Sequence, residues 1–439
     1  MTVRIENITI FAEIVSSFCH LPALLQSNES IAQEFQSTGK TVSDVANSIQ
    51  KHTGITQRRH ALPNQASSDL VVQAILHSSI NLEDISSVVI ATTSGDCPSP
   101  ATAHFVHAGL NLAPNVHCFD IASSCSSFLS ALRSSLGIIQ TTSQNVLLAA
   151  SEVKNKGLPQ NDLRTRSLFG DGAAGIILRQ NFQKKNNDFF CFVFQETNSK
   201  IIHNIEIPVG GSRQPTTNEN IHKNKLFLNQ PKETFSIIVK SLIKAIEYCW
   251  QKRLQLLSEW NENKPELIAC TIYIHQANKN ILKEVKQKIN SHLSEKIPIL
   301  MADIGNTVCA SLPILRSRVL FIKNILIHEK KFISKNELAS YFNELCSKSK
   351  KFSFSLVENG ILFQTIYENE RIEIFDSGST SLYKSWLEQI SDEEYLDILN
   401  LVKKELKTCN KDVTRIKYLD IWIAAGGGFQ TVGVLHGKL

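Results

Sequence analysis

The 439-residue chain contains no run of eighteen or more apolar residues, so no membrane-spanning helix is expected. It contains no CxxC pair. Its ten cysteines fall at irregular spacings, which argues against a disulfide framework and for a reducing, cytoplasmic setting. Without a GxxxxGK segment, nucleoside-triphosphate chemistry has no phosphate cradle to work with. Proline and glycine are sparse, at 12 and 19 residues, and neither repeats nor low-complexity segments occur. Residues 1–14 lack the charged-then-apolar order of a secretory leader. The formal charge of +5 is spread too thinly to point to nucleic acid, and no nucleic-acid-binding motif is found. His104 and His107, with His117 and Cys118 nearby, do not complete a zinc-ligand spacing, so no metal is expected.

What remains is an ordinary globular composition, 42% hydrophobic and 20% charged, long enough for two or three packed units. Short apolar runs at 88–93, 116–121, 146–151, 173–178, 189–194 and 270–274 read as buried strands. Between them, 126–139 carries Phe128, Leu129, Leu132, Leu136 and Ile139 at helical spacing, and 235–250 repeats the pattern. Strands alternating with helices predict an α/β fold with buried sheets. A polar stretch at 180–188 marks a joint between halves, 1–180 and 181–439. From about 329 to 415 the composition shifts toward Lys, Glu, Ser and Asn. Inside that stretch, 352–357, 361–367 and 371–375 read as a β-meander turned at Asn359-Gly360, followed by helices over 381–389 and 392–407.

Chemistry is suggested first by Cys125, which follows the predicted strand 116–121 and opens the predicted helix 126–139. A thiol at a helix N-terminus faces unpaired N–H groups and the positive end of the dipole, and both favour the thiolate that attacks. Small neighbours, Ala122 to Ser124 with Ser126 and Ser127, leave room for a carbonyl. Taken alone, a structural cysteine at such a junction is at least as common. Two distant pieces add to it: His275-Gln276-Ala277-Asn278 after a strand, and Gly305-Asn306-Thr307 in a turn. Each by itself is an ordinary histidine or an ordinary turn, but together they can aim two donors at one carbonyl oxygen.

These residues, with Thr53-Gly54-Ile55 and Arg58-Arg59, Ala91-Thr92-Thr93-Ser94, Pro98-Ser99-Pro100, Phe169-Gly170-Asp171-Gly172-Ala173-Ala174 and Gly426-Gly427-Gly428-Phe429, fall in one order from about residue 50 onward. In that order the chain resembles 3-oxoacyl-acyl-carrier-protein synthase III, the initiating condensing enzyme of fatty-acid synthesis. The resemblance implies a thiolase fold, five α-β-α-β-α layers from two similar halves, and a homodimer. It implies Cys125 as the acylated nucleophile. His275 and Asn306 become the donors to the malonyl thioester carbonyl, and the backbone N–H groups of Cys125 and Gly427 the oxyanion hole. The substrates it implies are acyl-CoA or acyl-carrier-protein thioesters and malonyl-acyl carrier protein, with no cofactor.

Four departures qualify the picture. No tryptophan precedes Thr53-Gly54-Ile55, where the chain reads Val45-Ala46-Asn47-Ser48-Ile49. Arg58, Arg164 and Arg166 are the candidate contacts for coenzyme A or a carrier protein. Ser99 stands where some members line the acyl pocket with a bulky residue, which points to a longer or more polar primer. Lys279, Lys283 and Lys286 share one helical face, a basic stripe suited to an acidic carrier protein or simply to solvent. Asn306 and Gly427 stand 121 positions apart, where one helix and a loop need about thirty; 329–415 is therefore expected to be an inserted subdomain. Beside the condensing synthase, two other readings stay open: a specialised-metabolism synthase or acyltransferase that hands the Cys125 acyl group to another nucleophile, and a non-catalytic acyl-binding partner subunit.

Overall fold

The computed structural model describes residues 9–35, 39–78, 80–142, 144–180, 188–259, 268–329, 352–357, 360–367, 370–376, 389–408, 418–426 and 430–438. The elements that build the site begin with strand β1 (Thr9–Leu21) and helix α1 (Val42–Thr53). Strands β2 (Ile85–Ala91) and β3 (His117–Ile121) lead into helix α2 (Ser127–Thr142). Strand β4 (Asn145–Glu152), the short helix α3 (Leu163–Arg166) and strand β5 (Gly172–Gln180) complete the first half. The second half runs through β6 (Asp188–Thr197), α4 (Pro231–Glu259), β7 (Ile272–Ile274), α5 (Lys279–Lys288) and α6 (Ser311–Glu329). Three strands follow, β8 (Phe352–Val357), β9 (Gly360–Tyr367) and β10 (Glu370–Asp376), then α7 (Asp392–Thr408), β11 (Tyr418–Gly426) and β12 (Gln430–Lys438).

The main sheet runs β7-β11-β12-β6-β1-β5-β4-β2-β3. The first half contributes β2 parallel to β3 and β4, then antiparallel steps to β5 and β1. The second half repeats the scheme: β7 is parallel to β11, and antiparallel steps lead to β12 and β6. β1 is the seam. Thr9–Phe11 pair with β6 of the second half, while Ser16–Leu21 run parallel to β10. Helices α2 and α6 each touch strands of both halves. In α2, Phe128, Leu129, Leu132, Leu136 and Ile139 are buried, as their spacing requires. A leucine buried this fully contributes about 1.5–3 kcal/mol. From Ser311 to Leu326 α6 is buried on every side, which explains why it carries no amphipathic signal.

Nothing between α2 and β4 corresponds to β8–β10 and α7, which lie between α6 and β11. Two of these elements, β10 and α7, are not laid over the surface. β10 pairs with β1, and Glu370 at its start is buried against Arg316 of α6. α7 packs on α6, and its buried Glu394 accepts the N–H groups of Met301 and Ala302. The hairpin residue Asn359, most of the predicted helix 381–389 and the polar joint at 181–187 lie outside the described residues. The strand predicted over 270–274 forms only at Ile272–Ile274, and the helix predicted over 235–250 runs further at both ends.

Candidate active site

β3 ends at Ile121, and the next turn of chain delivers Cys125 two residues ahead of α2. Serines hold that turn. Ser123 N–H donates to Ser127 Oγ at 2.8 Å, and the hydroxyls of Ser126 and Ser127 donate back to the carbonyls of Ser123 and Ser124 at 2.7 and 2.6 Å. Ser124 takes φ of +55°, the left-handed region that non-glycine residues seldom occupy. Such strain clusters at functional sites because the surrounding bonds must enforce it. Gly426 comes up against this turn, and a Cβ there would meet the Ser123 carbonyl at 3.1 Å. Gln430 Oε1 lies 2.9 Å from the same Ser126 hydroxyl oxygen. The predicted oxyanion donor Gly427 lies outside the described residues, between these two anchors.

His275 follows β7 and is buried. Its N–H donates to Ile423 in β11 at 3.0 Å, and Nδ1 lies 2.5 Å from the Ser311 hydroxyl at the start of α6. Ser311 Oγ already accepts the Gln276 N–H, so its single proton is available to Nδ1. A Ser311 hydroxyl that donates to Nδ1 leaves the ring proton on Nε2, which is buried without a protein partner. Burial pushes the imidazole down to about 3, so it is neutral at physiological pH.

Asn306 is clamped by the first half of the chain. Its N–H donates to Leu168 at 2.9 Å, and its carbonyl accepts the Gly170 N–H at 3.0 Å. A Cβ on Gly170 would sit 2.0 Å from the Ile304 carbonyl, so only glycine allows the approach. Asn306 Oδ1 accepts the Val308 N–H at 2.8 Å, which fixes the amide so that Nδ2 is its outward donor. Val308 takes φ of +49°, a costly conformation for a β-branched residue. Cys125, His275 and Asn306 all line one cavity of about 690 Å³. A nucleophilic sulfur and two neutral donors around one space can hold an acyl thioester and stabilise a negative oxygen.

The remaining candidates separate. Arg164, exposed and paired with Asp162 at 3.1 Å, lines the same cavity as Ser48 and His52 of α1. Arg58 does not reach it. It is fully buried, with its guanidinium donating to the carbonyls of Ser167 and Gln26, and burial lowers it to about 9. The expectation that it contacts coenzyme A or a carrier protein is corrected: its donors serve the chain's own backbone. The Lys279–Lys283–Lys286 stripe is met by the acidic face of α7. Lys279 and Lys283 both pair with Glu393, at 3.0 and 3.1 Å, and Lys286 pairs with Asp397. Lys279 is itself buried, its side chain filling the space over Gly54. Ser311 was not singled out by the sequence, where a serine opening a helix reads as a cap. Lys154, which also lines the cavity, was missed because it stands just past an apolar strand. Among the described residues no group of three or more potential ligands gathers to hold a metal ion, and no helix is long and apolar enough to cross a membrane.

Histidine burial sets an acid limit on the fold. His275 sits at about 3 and His60 at about 4, both lowered chiefly by burial, and His436 is lowered as well. A folded value below the unfolded one of about 6.5 gives stability present at neutral pH and lost as pH falls from about 6.5 toward 3. His60→Gln is expected to flatten the upper part of that loss, between about pH 6.5 and 4. Denaturation midpoints against pH for both proteins check it, and superimposable acid limbs would refute it.

Residues 119–198 match the family model described as 3-oxoacyl-[acyl-carrier-protein (ACP)] synthase III. The β-ketoacyl-[acyl-carrier-protein] synthase III of Aliarcobacter butzleri is 30% identical over 313 residues, 69% of this chain and 87% of that protein. The corresponding protein of a Nostoc species is 29% identical over 318 residues, with 69% and 87% covered. Among solved structures, 3-oxoacyl-(acyl-carrier protein) synthase from Burkholderia xenovorans superposes with a TM-score of 0.63 at 19% identity, covering 98% of this chain and 95% of that one. Xanthomonas campestris OleA superposes with a TM-score of 0.57 at 13% identity, covering 98% of each. The structural likenesses carry the fold, and the α/β thiolase fold expected from the motifs is the fold found. The sequence likeness carries more: at that identity and coverage, the chain belongs to the 3-oxoacyl-[acyl-carrier-protein] synthase III family of acyl-transferring condensing enzymes.

Proposed function

We propose that the protein condenses an acyl group carried on Cys125 with the enolate of a malonyl-carrier-protein thioester. The observation that carries this reading is the meeting of Cys125, the unpartnered His275 Nε2 and the oriented Asn306 amide in one cavity. In the first step, Cys125 Sγ bonds to the acyl carbon and the donor thiolate leaves, taking the proton Cys125 gave up. In the second, malonyl thioester loses CO2, and the electron pair of the broken C–C bond becomes an enolate whose oxygen accepts hydrogen bonds from His275 Nε2 and Asn306 Nδ2. The enolate carbon attacks the acyl carbonyl, Cys125 thiolate is expelled and regains a proton, and a 3-oxoacyl thioester leaves. Two neutral donors suit a charge that exists only during reaction. The N–H groups of Cys125 and Gly427 serve the tetrahedral oxyanion, Arg164 the incoming carrier or coenzyme A. The reaction needs no cofactor, and we infer a homodimer as the working unit.

The test is intact-protein mass after incubation with acyl-CoA and acyl-carrier-protein panels, for the wild type and Cys125→Ala, followed by malonyl-carrier protein and a CO2 assay. An acyl mass gain absent from the variant, then discharged with CO2 release, supports the proposal. No gain from either donor class overturns it.

A further inference from the structure

Lys154 is buried, lines the cavity that holds Cys125, and has no part in the chemistry above. Its Nζ donates to the Thr93 carbonyl at 2.9 Å and pairs with Glu152 at 3.5 Å. The Thr93 carbonyl uses one of the three ammonium N–H directions, which leaves donors for an occupant of the cavity. Glu152 does not need the lysine for its hydrogen bonds. Its carboxylate already accepts the Thr93 N–H at 3.1 Å, the Thr93 hydroxyl at 2.9 Å, the Ser94 hydroxyl and the Cys309 thiol at 2.9 Å. A wall that met only alkyl chain would be at least as stable with an apolar residue of similar length, because burying an ion pair is costly.

We propose that Lys154 selects the acyl group loaded on Cys125, and that it favours a chain carrying a neutral oxygen acceptor, a keto or hydroxyl group, near the thioester. This rests on the acyl-enzyme reading of Cys125. The acceptor lies near the thioester because Lys154, Thr93 and Ser124 line the same cavity as Cys125, with Lys154 Nζ bonded to the Thr93 carbonyl and Ser124 adjoining Cys125 in the chain. It is neutral because Glu152 already balances the ammonium. A carboxylate would bring a net negative charge into a wall that also includes Phe169 and Val308. A charge-assisted hydrogen bond, made to an oxygen that an alkyl chain lacks, is the discriminating contact.

The experiment is competitive acylation read by intact mass, with equimolar butanoyl-, 3-oxobutanoyl-, 3-hydroxybutanoyl- and 3-carboxypropanoyl-CoA. The expected result is a preference of about tenfold or more for an oxygenated neutral chain over butanoyl. Lys154→Met is expected to abolish it. Because that change leaves a buried carboxylate unbalanced, the Lys154→Met/Glu152→Gln double variant is measured as well, and it is expected to load butanoyl at least as readily as the oxygenated chains. Equal loading by the wild type, a preference for 3-carboxypropanoyl, or an oxygen preference surviving in the double variant overturns the assignment of Lys154 while the acyl-enzyme stands. No acylation from any thioester overturns both.

Discussion

Alanine in place of His275 is expected to lower malonyl decarboxylation by about 10²–10³-fold, while acylation of Cys125 proceeds at nearly its original rate. The asymmetry follows from geometry. Nε2 is the buried donor without a protein partner, and its tautomer is set by Ser311 and, through it, by the Gln276 N–H. In the proposed reaction it serves the enolate, which exists only in the second half of that reaction. Asn306→Ala is expected to lose a similar factor, because Val308 N–H commits Oδ1 and leaves Nδ2 for the same oxygen. The double variant is expected to lose much less than the product of the two, since a lone donor to one oxygen cannot do the work of a pair. The His275 donor stays neutral well below pH 5, so protonation of this ring does not shape the rate between pH 5 and 8. Acyl-enzyme formation by mass and CO2 release from malonyl-carrier protein, measured side by side, separate the two steps. Equal losses in both would mean that His275 positions Cys125 rather than the enolate.

The second large effect concerns stability. Glu370→Ala is expected to cost about 3–5 kcal/mol, the range for removing one partner of a buried ion pair. Glu370 receives both arms of the Arg316 guanidinium, at 2.6 and 2.7 Å, and the Ser17 hydroxyl of β1. Arg316 also donates to Ser17 at 2.9 Å and lies over the Trp422 ring, 5.2 Å from its centre. Burial alone would make this guanidinium easier to deprotonate, but Glu370 holds it above its ordinary value. Without the carboxylate a full positive charge is stranded in the core. Arg316→Met with Glu370→Met is therefore expected to cost less than Glu370→Ala alone. Chemical denaturation of the wild type and these variants checks it. A Glu370→Ala protein within about 1 kcal/mol of wild type would place the pair among the weak, solvent-screened kind.

What the sequence made legible follows from which signals are local. β2, β4 and β5 are buried on both faces and read as apolar runs, and α2 declares itself by its spacing. β1 does not, because Ser16, Ser17 and His20 interrupt it. Two of these meet distant groups, Ser17 meeting Glu370 and Arg316, and His20 the Leu70 carbonyl. That Cys125, His275 and Asn306 come to one cavity was legible through their ordered motifs. Arg58 was misread because a motif arginine looks the same whether it faces a ligand or the carbonyls of Ser167 and Gln26. The lysine stripe on α5 was periodic as read, but its acidic counterpart on α7 lies more than a hundred residues along the chain, where no local pattern connects them. Lys154 shows the same limit: only the fold brings it into the wall beside Cys125.

The clamp on Asn306 has a consequence for how the molecule could be taken apart. Its two main-chain bonds run to Leu168 and Gly170, so the second half orients the side-chain amide through Val308 but does not hold this stretch of backbone by itself, and the first half has the thiol but neither His275 nor Asn306. Cut between β5 and β6, each fragment would carry an incomplete centre, and turnover would return only on complementation. The rate of condensation would then measure the affinity of one fragment for the other.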